Sequence, residues 1–261
     1  MTPDAISSDL KATLRRLKLS RVLDTLPERL ALARQQKMPP HDLMLLVLSD
    51  EVARRDALAV TLREQKAHLD PTMRVELWDA TAKVTFDREL LNELTSLRFL
   101  DSHAHVAIVG PVGVGKTFLA HALGHIACRR GATVLALRTD HMLKTLKHAR
   151  LDNSYEAELR KIIAVDVLLL DDFAIDVLDP TESRDLYEIL LERYRTGSIM
   201  VTSNRGPDEW LATFADPIRA QSAIDRFTSN AYDLVIDGDS YRPRLKPQLA
   251  KAAKDGKERS R

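Results

Sequence analysis

The 261-residue sequence predicts an α/β fold, a parallel sheet covered by helices on both faces and preceded by a small all-helical domain. Three observations predict it. Residues 8–68 carry apolar residues at helical spacing and no strand-like run. From residue 104 the rhythm changes to short apolar runs alternating with helical stretches, the pattern of a parallel sheet with crossover helices. Between the first run and the helix after it lies Gly110-Pro111-Val112-Gly113-Val114-Gly115-Lys116-Thr117, a loop that turns a strand into a helix around phosphate groups.

In chain order, Leu10, Leu14 and Leu17, then Val22, Leu23, Leu26 and Leu30, mark the first helices. Pro39-Pro40 punctuates the chain, and Asp42 is expected to cap a helix with Leu43, Leu46, Val47, Val52, Leu58 and Leu62 on one face and Arg54, Arg55, Arg63 and Lys66 on the other. Residues 70–85, around Trp78, read as a linker wrapping onto the next unit. Phe86 to Leu100 reads as one helix with Leu90, Leu91, Leu94 and Leu97 in a stripe. Strands are expected at 105–109, 132–137, 165–170 and 198–202. Helices are expected at 116–130, about 140–149 and 155–163, while 173–197 stays unassigned.

Composition excludes several classes. Hydrophobic residues at 44% suffice for a sizeable core, and a net charge of +1 means that any nucleic-acid surface comes from local segregation of charge. One cysteine, Cys128, leaves no internal disulfide and no cysteine-based zinc site. The N-terminus lacks the basic-then-apolar order of a signal peptide, and no window approaches ~18 apolar residues. The expectation is a soluble cytoplasmic protein. From Arg242 to Arg261 eight lysines and arginines stand against Asp255 and Glu258, a net of +6, in a tail expected to be disordered at its end.

The chemistry concentrates at strand ends. In Gly110–Thr117 the glycines let backbone N–H groups face phosphates, and the helix that follows adds its positive dipole end. Lys116 neutralises the β and γ phosphates, and Thr117 offers a hydroxyl to Mg²⁺. Residues 110–118, Phe118 included, form the expected nucleotide contact. Val167-Leu168-Leu169-Leu170-Asp171-Asp172 is a hydrophobic strand ending in two carboxylates, of which Asp171 would hold Mg²⁺ and Asp172 would act as the base that orients the attacking water. Ser198 to Asn204 is another strand with a polar end. Asn204 is the preferred γ-phosphate contact, with Thr202 and Ser203 as neighbours that could replace it. Arg226, read as following a helix, and Arg242 are candidate γ-phosphate arginines. His121 and His125, four apart but without an intervening glutamate, read as two helix-surface histidines rather than a metal site. Lys144, Lys147 and Arg150 read either as a solvated helix face or as contacts to a duplex backbone. Aromatic residues at 5% argue against single-strand stacking platforms.

The set GPVGVGKT (110–117), VLLLDD (167–172), VTSNR (201–205), EW (209–210), IDRF (224–227) and DSYR (239–242) resembles the IstB-type transposition helper ATPases, relatives of the DnaC-type helicase loaders in the initiator branch of AAA+ proteins. The resemblance covers about residues 8–247. It implies a P-loop AAA+ ATPase core that uses ATP and Mg²⁺ and binds duplex DNA without sequence preference. It also implies a homo-oligomer that remodels the DNA and stimulates a DDE-type transposase encoded alongside. Under it, Asn204 would be sensor 1, Arg226 an arginine finger acting in trans and Arg242 a sensor-2-like arginine acting in cis. Asp172 stands where glutamate is usual, so slow hydrolysis is expected. The short stretch after Arg242 leaves no room for a full helical lid. The organisation expected is a helical domain over 1–70 for assembly, partner or DNA contacts, an ATPase domain over 71–245 and a basic tail over 246–261. A DnaC-type helicase loader is the alternative, and a small-molecule kinase is a weaker one.

Overall fold

Residues 6–245 are described by a computed structural model; the basic tail expected over 246–261 lies outside the described residues. The chain divides into two units at Gln65/Lys66. The smaller consists of helices α1 (Ser8–Arg16), α2 (Val22–Gln35) and α3 (Pro40–Lys66). Ser7 starts α1 by accepting the Leu10 N–H through its hydroxyl. Pro40, not Asp42, opens α3, because proline's fixed φ suits the first helical position; Asp42 lies inside the first turn. Val22, Leu26 and Ala33 of α2 are buried, and Arg29 makes two hydrogen bonds to Asp50, at 2.6 and 3.2 Å.

The apolar face expected on α3 is not a core face. Val52, Leu58 and Leu62 are exposed, as are Met44, Leu45 and Leu48. The buried residue of α3 is Glu51, which Arg54 and Arg55 bind and hold down to a pKa of about 2. A 27-residue helix is about 40 Å long, more than two short helices can cover.

The larger unit begins with an irregular segment, a 3-10 turn at Val75–Leu77 and the two-residue strand β1 (Val84–Thr85). Asp87 caps α4 (Arg88–Ser96) by accepting from the N–H groups of Glu89 and Leu90. The single helix expected over 86–100 breaks at Leu97, which adopts φ 64° before α5 (Arg98–Asp101). That left-handed residue costs about 1 kcal/mol. It lets Leu94, Leu97 and Phe99 all reach the interior, which offsets the cost. Then come β2 (His105–Val109), α6 (Lys116–Arg129), β3 (Val134–Arg138), α7 (Thr139–Leu151), α8 (Tyr155–Ile163), β4 (Val167–Asp171), α9 (Pro180–Arg193), β5 (Ser198–Ser203), α10 (Pro207–Trp210), α11 (Pro217–Thr228), β6 (Ala231–Val235) and β7 (Asp237–Gly238).

Five strands form one parallel sheet in the order β3-β4-β5-β2-β6, and β1 pairs with β7 in a separate antiparallel ribbon. Period-two alternation splits the core. Val106, Ile108, Leu169 and Met200 pack with α4 and α6 on one face; Ala107, Leu168, Leu170 and Val201 pack with α7, α8, α9 and α11 on the other. The sequence reading lacks β6 because its residues are mostly half-exposed, as an edge strand allows. It also lacks α9, although Asp179 and Glu182 form a reciprocal capping box there.

Three polar side chains fasten this unit internally. Arg193 of α9 is fully buried, and its guanidinium donates to the carbonyls of Ile162, Ile163, Val165, Asp166 and Ser198. His125 is 1% exposed and His121 half-buried, so the expectation of two surface histidines is corrected. His121 Nδ1 accepts the Asp70 N–H at 3.0 Å, and His125 Nε2 lies 2.9 Å from the Asp70 carbonyl. Both rings face a passing backbone strand rather than water, because Ala67 and Leu69 insert into the core beside them.

Candidate nucleotide site

The carboxyl ends of β2, β4 and β5 lie side by side, with Val109 opposite Ser203 and Leu170 opposite Val201. Ligands of open α/β sheets bind at such an edge. The loop 110–115 leaves β2 here and α6 begins at Lys116 with no side chain capping it, so the N–H groups of its first turn face outward as an anion site. Gly113 (φ 86°) and Gly115 (φ 101°) hold left-handed conformations, and a Cβ at Gly115 would sit 2.9 Å from the Trp78 ring. Pro111 and Val112 are exposed on the loop, while Val114 is buried.

Lys116 is 8% exposed and donates to the carbonyls of Gly110 (2.9 Å) and Pro111 (2.8 Å) and to Asn204 Oδ1 (2.7 Å). Burial lowers its pKa, against the opposing pull of Asp172 and Asp171. Among the three polar residues ending β5, Asn204 alone reaches this lysine. Thr202 donates to Asp171 Oδ1 and accepts the Asp172 N–H at 3.2 Å. Ser203 donates to the Phe173 carbonyl at 2.7 Å. Both are buried; Thr202 positions the carboxylates from behind, and Ser203 fixes the backbone that follows them.

Thr117 Oγ1 and Asp171 Oδ1 are 2.8 Å apart. Adjacent ligands of an octahedral Mg²⁺ at 2.0–2.1 Å stand about 2.9 Å apart, so this oxygen pair fits that ion. Among the described residues no group of three or more His, Cys, Asp or Glu could hold a metal on protein ligands alone, and a Mg²⁺ that shares its coordination with phosphates and water needs none. Asp172 has φ 58°, a strained backbone of the kind found at functional sites. Burial and then the neighbouring Asp171 raise its pKa, which makes it a better base. Arg138, at the end of β3, lies 3.8 Å from Asp172 and 3.3 Å from Asp140.

An apolar pocket opens beside the loop, lined by Leu77, Trp78, Val114, Phe118 and Tyr241, with Asp79 at its rim. Trp78 meets Phe118 edge-on at 5.4 Å. Of these residues the sequence singles out Val114 and Phe118 as contacts; Trp78, in an otherwise patternless linker, was the available signal for the rest.

The remaining candidates are placed as follows. Arg242 is exposed in a 3-10 turn, Arg242–Leu245, and its charge is felt by Lys116. Arg226 lies in the last turn of α11 rather than after a helix, because Pro217 starts α11 late and Phe227 continues its buried face. Its guanidinium donates to the Ser222 carbonyl and hydroxyl. Lys144 and Lys147 are exposed and pair with Asp140 and Asp179. Arg150 binds the buried Asp185 with both its terminal nitrogens and lies 3.9 Å above the Tyr155 ring; it anchors α7 to α9. Among the described residues no helix is long and apolar enough to cross a membrane.

Residues 12–249 match the family model of the IstB-like ATP binding proteins. A Mycobacterium tuberculosis protein named for ATP binding in an insertion sequence (Rv3427c) is 38% identical over 239 residues, 91% of this chain and 95% of its own. The Pseudomonas aeruginosa protein named for ATP binding in insertion sequence IS21 is 31% identical over 234 residues, covering 90% and 88%. A crystal structure of DnaI superimposes with a TM-score of 0.55 at 21% identity, covering 65% of this chain and 95% of that one, which shows a shared fold. With a matched family model over most of its length and a phosphate loop, paired carboxylates and polar strand end meeting on one edge of a parallel sheet, the chain belongs to the IstB-like ATP binding protein family.

Proposed function

We propose that this protein is an ATP-dependent transposition helper. It binds and hydrolyses ATP with Mg²⁺, assembles as a homo-oligomer on duplex DNA without sequence preference, remodels that DNA and presents it to a DDE-type transposase. The observation that carries the catalytic part is the meeting of Lys116, Asn204, Thr117, Asp171 and Asp172 within one chain of hydrogen bonds and neighbouring residues at the sheet edge. Kinship with proteins named for insertion sequences supports the transposition part.

In this reading the loop N–H groups and Lys116 bind the triphosphate, and Thr117 and Asp171 would hold Mg²⁺. The ion would supply charge neutralisation to the β and γ oxygens. Asn204, already 2.7 Å from Lys116, would bridge the γ phosphate and the attacking water. Asp172 takes the water's proton as the oxygen attacks phosphorus and the bond to the leaving oxygen breaks. Its short side chain and left-handed backbone favour a slow step. Arg226 acts on a neighbouring subunit's nucleotide and Arg242 acts in cis, as the resemblance to IstB-type helpers implies.

The test is sedimentation with duplex DNA, with and without ATP, beside a single strand of equal length. The expected result is large ATP-dependent assemblies on the duplex, lost in Lys116→Ala and kept in Asp172→Asn while hydrolysis stops. Binding restricted to single strands without large assemblies would replace this reading with a helicase loader.

A further inference from the structure

The segment 237–244 crosses the nucleotide loop and is fastened at both ends. At one end Val84 pairs with Gly238 and Thr85 with Asp237, and the Asp239 N–H donates to the Lys83 carbonyl at 3.0 Å. In the middle, Ser240 packs so closely on Gly113 that a Cβ there would lie 2.1 Å from the Ser240 hydroxyl. The Tyr241 N–H donates to the Gly113 carbonyl at 2.8 Å. At the other end everything converges on one carboxylate. Asp79 Oδ1 accepts from the Thr81 N–H (2.8 Å) and hydroxyl (2.7 Å); Oδ2 accepts from the Tyr241 hydroxyl (2.9 Å) and Arg244 (3.2 Å). Arg244 also donates to the Thr81 hydroxyl and carbonyl.

Asp79 and Tyr241 both line the apolar pocket, as does Trp78. Arg242, whose charge reaches Lys116, lies with Pro243 between the two residues that bind Asp79, Tyr241 and Arg244. One carboxylate on the linker therefore governs two things: whether the pocket has its Tyr241 wall, and where Arg242 stands.

Resting on the ATP-site reading above, we propose that Asp79 is a positioning residue for the nucleotide. It fastens the 241–244 strap so that Tyr241 closes the base pocket and Arg242 faces the phosphate end. With all four of its hydrogen bonds committed inside the clasp, Asp79 has little left to offer a base edge. The pocket then recognises the base through aromatic faces and shape, so that the clasp sets affinity for the nucleoside part while the loop sets affinity for phosphates. The Thr81 bonds, followed by the Tyr241 bond, hold the Asp79 carboxyl down to about 2, so the clasp is charged at every working pH.

The test compares ATP, ADP and inorganic tripolyphosphate by calorimetry on the full chain with Mg²⁺. Asp79→Ala breaks all four hydrogen bonds, two of which, from Tyr241 and Arg244, hold the strap, and about a tenfold or greater loss in ATP affinity is expected. Tripolyphosphate affinity should stay within about twofold, because the loop and Lys116 are untouched. The preference for ATP over ADP should shrink as Arg242 loses its place. Tyr241→Phe, which keeps ring and fold, should give a smaller loss in the same direction, and adding it to Asp79→Ala should cost little more. ATP affinity unchanged in Asp79→Ala overturns the proposal. An equal loss for ATP and tripolyphosphate also overturns it, because Asp79 would then support the loop as a whole. A wild-type protein that binds neither ligand refutes the ATP-site reading itself.

Discussion

Thr202→Val isolates one link behind the paired carboxylates. Thr202 is 1% exposed and its hydroxyl ties Asp171 Oδ1 to the Asp172 N–H. Valine keeps the volume and removes both bonds. The bond to a carboxylate contributes about 1.5–3 kcal/mol and the orphaned N–H costs about 1 more, while the added methyl returns about 0.8. The net loss is about 2–3 kcal/mol. For a unit of this size that lowers Tm by roughly 5–10 °C. Asp172 would lose the tether that holds its left-handed backbone, so kcat should fall about 10–100-fold, while KM for ATP with Mg²⁺ changes less than about threefold because the loop is intact. Thermal unfolding and steady-state hydrolysis measure both. Thr202→Ser, which keeps the hydroxyl, should recover most of each. Wild-type turnover and Tm in Thr202→Val, or a serine variant as impaired as the valine one, would refute the reasoning. Asn204→Ala makes the contrast: Asn204 is exposed, so hydrolysis should be lost with little change in Tm.

Burial, then the charge of Arg193, pushes the His105 pKa down to about 4. The unfolded chain therefore binds a proton that the folded one refuses. Stability is complete above about pH 6.5 and falls as pH drops towards 4, by on the order of 3 kcal/mol. His105→Phe, which keeps a ring on Phe227, should flatten that part of the slope in urea titrations at pH 7.5, 6 and 5. Lys144→Glu with Lys147→Glu should weaken duplex binding and lower its salt slope by about two, because exposed ion pairs are cheaply exchanged for phosphates; an unchanged slope removes both from the DNA surface. Arg150→Ala should instead lower Tm, since it strips the buried Asp185 of its cation, a loss of about 3 kcal/mol. Arg226→Ala should be inactive alone yet regain hydrolysis when mixed with Lys116→Ala, which brings an intact Arg226 to the shared interface; absence of rescue argues against action in trans.

The sheet edge was legible because its chemistry is local: Gly110–Thr117 and Val167–Asp172 each sit on one strand end, and a strand end is a place sequence can name. Asn204 was the sequence's preference among three polar residues, and the structure turns the other two, Thr202 and Ser203, inward. Trp78, Asp79 and Tyr241 stayed hidden because their meeting spans 162 residues and follows no period. The misread histidines share that cause. A helix position looks solvated until the backbone of Asp70 arrives from elsewhere. Leu97 shows the remaining limit, since its helical stripe was real but tertiary burial chose a break.

Arg193 also bears on the order of folding. Its five carbonyl partners come from the end of α8, the connection from α8 to β4 and the start of β5, whereas the arginine itself belongs to the helix between β4 and β5. A partial assembly that lacks any one of the three leaves it unsatisfied, so the contact is expected to form late in folding. Such late contacts set how fast a protein comes apart rather than how fast it forms. Arg193→Met should accordingly steepen the escape from the native state in stopped-flow unfolding while leaving the refolding limb nearly unmoved. The residue acts as a kinetic latch on the central crossover of the sheet.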